Sequence, residues 1–223
     1  MCFQIFCPQS GGGVKMDPMA QVRPYRGVEA ADRVAERRRR FLEAGLDILG
    51  ADADLSELTV RGICHRAGVA LRYFYESFTD KDDFVGQIFD WVIADIAATT
   101  QAAVTAAPLN EQSRAGMANI VRTIAADTRI GRLLFSSQLS NPVVVRKRAE
   151  SGALMAMLLF QHAGTLGAQD NDRTKASSHF VVGGVSQTIT AWLAGDTKLE
   201  PDELVEQLAS QIDQLAAPEL YKD

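Results

Sequence analysis

The sequence predicts an all-α chain of about nine helices: an N-terminal three-helix head containing a helix-turn-helix, then a larger C-terminal helical domain. Three observations predict it. Only 7 prolines occur in 223 residues, so long stretches lack the residue that breaks helices. Apolar residues recur at spacings of three and four along those stretches, as a helix buried on one face requires. The run Thr59 to Phe84, TVRGICHRAGVALRYFYESFTDKDDF, reads as two short helices around a tight glycine turn, then the start of a third. The β-prone triplet Phe180-Val181-Val182 sits inside a helical pattern and predicts no strand.

Residues 1–20 read as a flexible leader, with Met16 or Met19 as an alternative start. They lack the basic beginning and long apolar run of a secretory signal. A first helix is expected over about Ala30 to Gly50, with Val34, Phe41, Leu42, Leu46 and Leu49 packing onto the helix-turn-helix. The acidic stretch Ala51 to Glu57 reads as a loop. Thr59 is a good N-cap for the helix carrying Val60, Ile63, Cys64 and Ala67. Gly68 stops that helix, because it takes left-handed dihedrals cheaply. Val69 plugs the gap between the two short helices, and Ala70 to Tyr75 forms the second.

Asp80 caps a long helix to about Ala106, which Pro108 ends. Further helices are expected over about Glu111–Ala126, Ile130–Leu139, Pro142–His162 with a stop at Gly164, and Asn171–Gly195. The last opens at Glu200-Pro201-Asp202-Glu203, with acids near the positive end of its dipole. The expected division is a head over residues 21–80 and a second domain over 81–217.

Composition excludes several classes. The chain is 47% hydrophobic and 23% charged, an ordinary balance for a water-soluble protein. No apolar run reaches the roughly 18 to 20 residues that span a bilayer, so no membrane partner is expected. The three cysteines, Cys2, Cys7 and Cys64, have no metal-like spacing and suit a reducing cytoplasm. The three histidines, His65, His162 and His179, show no metal spacing either. There is no Gly-x-Ser-x-Gly, phosphate loop or Cys-x-x-Cys, so no catalytic residue, metal site or cofactor is expected.

The net charge of −5 is opposite in sign to that of a typical nucleic-acid binder, but its distribution is uneven. Residues 21–81 carry 11 Lys and Arg against 10 Asp and Glu, whereas residues 82–223 carry 11 against 17. Affinity for DNA follows local neutralisation of phosphate, not the sum over the chain. A helix-turn-helix has one main use, placing its second helix in the major groove. Arg37 to Arg40 either form a solvated face or reach phosphate. Successive residues turn about 100°, so the four cannot all point one way.

The run Gly68 to Phe78, followed by Asp80-Lys81-Asp82-Asp83-Phe84, resembles the DNA-binding signature of the tetracycline-repressor (TetR) family. That signature has a Gly-Val-Ser start, an aromatic pair before a Phe, and a Lys-acid-acid-apolar tetrad. Arg37 to Leu49 is similar to the family's first helix. Ala191-Trp192-Leu193-Ala194-Gly195-Asp196 and Pro201-Asp202-Glu203-Leu204 are similar to the end of its eighth helix and the start of its ninth. The region from about 100 to 170 resembles it in helical character only. Three positions depart from the pattern. Ala70 stands where Ser usually caps, Arg72 and Tyr73 are large where small residues are common, and Ser77 replaces a His or Tyr.

The resemblance implies a sequence-specific, DNA-binding transcriptional regulator of a bacterial cytoplasm, not an enzyme. It implies a homodimeric repressor bound to a double-stranded operator and released by a small hydrophobic effector. The alternative is a regulator with no effector, controlled by its level or by a protein partner. The DNA-contacting set is then Thr59, Ala70, Leu71, Arg72, Tyr73, Tyr75 and Lys81. Arg72 pairs either with a guanine or with a phosphate or carboxylate. Thr59, Tyr75 and Lys81 match positions that grip phosphate, and Tyr75 has a core role as its alternative. Phe74 and Phe78 read as core. Arg23 and Arg26 either form an arm entering the minor groove or stay free.

One short recognition helix covers few bases, so a twofold dimer is needed to place two of them one turn of DNA apart. Gly184, Ile189, Trp192, Leu204, Leu208 and Ile212, on the last two helices, are the expected interface, with internal packing of one chain as the alternative. Trp91, Met117, Ile120, Phe135, Met155, Leu158, Leu159 and Phe180 either line a cavity for the effector or fill an ordinary core.

Overall fold

Side-chain caps set the ends of most helices. The structure, a computed structural model, describes residues 26–51, 55–165 and 168–215. The expected leader, residues 1–20, and Arg23 lie outside the described residues. Among the described residues there are nine α-helices and no strand.

The chain divides into two units, residues 1–35 and 36–223. The first contributes the opening turns of α1 (Arg26–Gly50), four residues longer at its start than expected. Ala30 to Ala35 are exposed there, Val34 among them, so the buried stripe of α1 begins at Phe41.

Within the second unit, α2 (Val60–Ala67) starts at Thr59, whose hydroxyl accepts from the Gly62 N–H at 3.1 Å. Gly68 ends it at φ 61° and ψ 38°, and the Val69 N–H donates back to the Cys64 carbonyl at 3.0 Å. Only glycine takes that conformation without strain. Cys64 is buried in the core, and burial pushes its thiol pKa up. The next helix, α3, spans Leu71–Ser77 rather than Ala70–Tyr75. Ala70 is its N-cap in extended conformation, with no side-chain bond to hold the first turn.

Asp80 starts α4 (Lys81–Ala106) by accepting from the Asp83 N–H at 2.8 Å. Asp83 answers by accepting from the Thr79 N–H at 2.8 Å, a reciprocal cap. A 3-10 turn, Leu109–Glu111, then leads into α5 (Gln112–Ala126). Asp127 caps α6 (Thr128–Phe135). Asn141 caps α7 (Pro142–Thr165) through its carboxamide oxygen, which accepts from the Val143 N–H at 3.0 Å. Asn171 caps α8 (Asp172–Leu193), and α9 (Pro201–Leu215) follows.

Two apolar cores result. One joins α1, α2, α3, α4, α6 and α7, with Phe41, Phe74, Phe84 and Ile88 fully buried. The other joins α5, α8 and α9 through Val121, Ile124, Ile189, Leu204 and Leu208. Ile120, Ile130 and Phe135 pack against both.

The helix expected over Ile130–Leu139 is displaced. It starts at Thr128, because the Asp127 carboxylate accepts from the Arg129 N–H at 3.0 Å, and it ends four residues early, at Phe135. The early end has a partner distant in sequence. Arg148, half-buried on α7, donates to the carbonyls of Arg132 and Leu133 at 2.7–2.9 Å and of Ser136 at 2.8 Å. The Arg132 and Ser136 carbonyls also accept from the Ser136 and Leu139 N–H groups, so the guanidinium fork is the added donor there. It supplies a donor to the Leu133 carbonyl at the negative end of the helix dipole. Burial lowers the Arg148 pKa from the usual guanidinium value. Arg129 performs the matching task at the other end of α6. It bonds Asp127 and reaches across to Asp47 on α1, with Glu43 at 3.7 Å. Its guanidinium pushes the Asp127 carboxyl below the usual range, against the opposing effect of burial.

Replacing Arg148 with Ala should lower stability by about 2–4 kcal/mol, since several half-buried carbonyls lose a charged donor at once. Urea unfolding of the two proteins measures it, and Arg148→Lys should recover only part of the loss. The Asp127 pairing has a signed pH dependence. Its folded pKa lies below the unfolded value of about 3.9, so its contribution is complete above that value and fades as pH falls through the folded value. Asp127→Asn should therefore lower the urea midpoint at neutral pH and have less effect near pH 3. An equal effect at both pH values would sink the assignment.

Candidate nucleic-acid interface

The second short helix is held from behind by aromatic rings. Phe74 meets Phe41 edge-on at 5.8 Å, and Phe78 meets Phe84 at 4.9 Å, all four buried. Pinning the back of α3 turns its front outwards. Leu71 is 46% exposed, Tyr75 is 60% exposed, and Arg72 is exposed between them. Tyr75 keeps one edge-on contact with Phe74 at 5.5 Å, so its hydroxyl end is free of the core. Lys81, the first residue of α4, is exposed, as are Thr59 and Ala70. Leu71, Arg72 and Tyr75 are therefore exposed on α3, while Ala70 is its N-cap, Thr59 caps α2 and Lys81 opens α4. Thr59 already uses its hydroxyl as a cap. Arg26 is the first residue of α1, and Arg23 lies outside the described residues.

The four consecutive arginines of α1 diverge, as 100° steps require. Arg40 donates to the carbonyls of Ala67 at 2.6 Å and Gly68 at 3.0 Å, closing the end of α2. Arg38 donates to the Ser77 carbonyl at 3.2 Å and to Gln87, and lies over the Phe78 ring. Arg39 pairs with Glu36 on the surface at 2.9 Å. Arg37 lies over the ring of Tyr73, 4.4 Å from its centroid. Arg72 lies over the same ring at 4.5 Å and donates to its hydroxyl at 2.6 Å. That bond raises the Arg72 pKa further, so the group stays charged. Sequence reasoning missed both the two helix-closing arginines and the Arg37 stack. The only signal was the run itself, since partners 27 to 49 residues away are invisible to local spacing.

The other expected sites are placed as follows. Trp91 packs half-buried on the first core, Met117 on the second, and Ile120 and Phe135 between them. Met155 and Leu159 are half-buried, Leu158 is 46% exposed, and Phe180 is 67% exposed. Of the two grooves described, one of about 510 Å³ is lined by Phe180, Gly184, Val185, Leu208, Ile212 and Leu215. The other, of about 550 Å³, lies along α5 and includes Arg114, Asn119 and Arg122. Phe180 is the one effector candidate that lines either.

The interface candidates separate by face. Ile189, Leu204 and Leu208 are buried in the chain's own second core, where the apolar stripes of α8 and α9 turn inwards. Trp192 is half-buried against them and donates from Nε1 to the Leu199 carbonyl at 2.8 Å. Gly184 is exposed, with nothing within 4 Å of where a Cβ would stand, and Ile212 lines the open groove beside it. Among the described residues no group of three His, Cys, Asp or Glu could hold a metal ion. No described helix is long and apolar enough to cross a membrane.

No family model matches this sequence, and no curated protein does. Solved structures do. The fatty acid degradation regulator FadR from Bacillus halodurans is similar at 20% identity over 80% of this chain and 97% of its own, with a TM-score of 0.63. A TetR family transcription regulator from Marinobacter aquaeolei is similar at 17% identity over 83% and 97%, with a TM-score of 0.60. This chain has the fold of the TetR-type transcriptional regulators. FadR from Bacillus subtilis, solved in complex with stearoyl-CoA, shares the fold at 17% identity over 81% and 98%, with a TM-score of 0.57.

Lys81→Ala should weaken DNA binding evenly across sequences and lower the dependence of log affinity on log salt by about one unit. Filter binding of random and enriched duplexes over a salt series reads both. A change in which sequence is preferred would contradict the phosphate role.

Proposed function

We propose that the chain is a sequence-specific, DNA-binding transcriptional regulator of a bacterial cytoplasm. In this reading it is a homodimeric repressor that leaves its operator when a small hydrophobic effector binds. The observation that carries it is the outward face of α3: Leu71, Arg72 and Tyr75 are exposed while Phe74, on the same two turns, is fully buried. A guanidinium on such a face suits the acceptor edge of guanine, and Tyr75, Thr59 and Lys81 suit phosphate. Residues 21–80 are the DNA-binding part in this reading, and 81–217 the regulatory and dimerising part.

The dimer rests on the open side of α8 and α9. Phe180, Gly183 and Gly184 are exposed there, and a backbone without Cβ atoms lets a second helix approach closely. The effector rests on the likeness to a regulator solved with stearoyl-CoA. One observation favours the second reading, a regulator with no effector: Trp91, Met117, Ile120 and Phe135 pack against the chain's own cores.

Purified protein is tested against DNA from the region upstream of its own gene, at two salt concentrations, with excess nonspecific competitor. Saturable binding that survives competitor and weakens with salt is the expected result, with light scattering giving twice the chain mass. Addition of stearoyl-CoA should release the DNA if the effector reading is right; unchanged binding across a panel of acyl-CoA chain lengths favours the second reading. A monomer that binds no enriched sequence would overturn the function altogether.

A further inference from the structure

The arginine run of α1 leaves one cation without a structural task. Arg38 and Arg40 close the ends of α3 and α2, and Arg39 pairs with Glu36. Among the described residues Arg37 has no carbonyl or carboxylate partner; it lies over the Tyr73 ring instead. Arg72 lies over that ring too, and its Nη2 donates to the Tyr73 hydroxyl. The ring itself is anchored, half-buried against the first core. One aromatic platform on α3 therefore holds two guanidiniums, one from its own helix and one from α1.

Two consequences follow from the chemistry. The two cations lie within about one Debye length, roughly 10 Å at 0.1 M salt, and repel each other unless an electron-rich partner faces them. Lying over a ring occupies the flat face of a guanidinium and leaves in-plane N–H donors for other partners. Arg72 spends one of these, from Nη2, on the Tyr73 hydroxyl and keeps the rest of its fork. Those in-plane donors are the ones that match O6 and N7 of guanine in the major groove. A phosphate grip would need neither the ring nor the shared position.

We infer that Tyr73 is a positioning residue that presents Arg72 and Arg37 together as one guanine-reading pair. Arg37 is then a specificity-determining residue delivered from outside the helix-turn-helix. This inference deepens, and rests on, the reading of α3 as a DNA-contacting helix. It also accounts for the large residues at 72 and 73, where the similar family has small ones.

The test is selection from a pool of short random-sequence duplexes, using the purified full chain and five variants: Arg37→Ala, Arg37→Lys, Arg72→Ala, Tyr73→Phe and Tyr73→Leu. Thermal melts by circular dichroism accompany each variant. The parent chain should enrich a motif with two guanines in each half. Arg37→Ala should lose preference at one of them by about 5- to 150-fold and keep the other, and Arg72→Ala should do the reverse. Arg37→Lys, which keeps the charge but not the fork, should not restore the lost guanine. Tyr73→Phe keeps the platform and should retain both preferences, whereas Tyr73→Leu should weaken both without lowering the melting temperature to the same degree. If Arg37→Ala or Arg37→Lys selects the parent motif unchanged, with only a salt slope smaller by about one unit for the Ala variant, Arg37 is a phosphate contact and the inference fails while the DNA-binding reading stands. If the parent chain enriches no sequence, both fall.

Discussion

Four phenylalanine rings decide whether this protein can present the outward face of α3 at all. Phe41 from α1, Phe74 and Phe78 from α3 or its end, and Phe84 from α4 meet at centroid distances of 4.9–5.8 Å. The helix they hold has seven residues, far below the length at which a helix is stable alone in water. Its N-cap has no side-chain bond, so local capping contributes little. Burial of Phe74 fixes both the existence of α3 and the direction of its outward face. Aromatic pairs in this geometry add about 0.5–1.5 kcal/mol beyond their buried area, and they also set orientation. Gly45 makes the cluster fit: a Cβ there would stand 2.6 Å from the Phe84 ring, so α4 can close on α1 only because position 45 has no side chain.

The same constraint extends into the rest of the chain along α4. Phe84, Ile88, Val92 and Ile96 follow one another along that helix, all buried in the first core. A second link runs through α6. Its first turn is tied to α1 by Arg129, and its last turn is tied to α7 by Arg148. Both ties are guanidinium forks that add charged donors to groups at the two ends of α6, so a shift of either end costs several hydrogen bonds at once. Gly131, between the two ties, faces Ile124 and Leu193, where an added Cβ would stand 2.8 and 3.1 Å away.

How legible all this was depends on how local the cause is. Thr59, Gly68, Asp80 and Asn171 act within a few residues of themselves, and the sequence placed all four ends. The division between buried Phe74 and outward Arg72 follows from helical period and was legible too. The end of α6 was not, because its last carbonyls are satisfied by Arg148, 12 to 16 residues further on, and no local signal marks that position as a cap. The fates of Arg37 to Arg40 were equally hidden. Rotation around the helix says they diverge, but only the crossing of α1 with α2 and α3 says where each one goes. The effector candidates were chosen for apolarity, a property shared by core residues, and Trp91, Ile120 and Phe135 lie packed against the cores.

The last two helices show the same limit and what resolves it. Ile189, Leu204 and Leu208 share the apolar character of an interface, yet they close the chain's own second core. What α8 leaves outside is a different stripe, centred on Phe180 at 67% exposure and the bare backbone of Gly183 and Gly184. In the proposed dimer a second helix set against the two glycines would cover that ring. The residues that would join two chains are therefore not those most apolar in sequence but those the chain's own core has no room to take. Under the proposed function that stripe would bear on α3, since two outward-facing helices address one stretch of DNA only if the two chains are held in register.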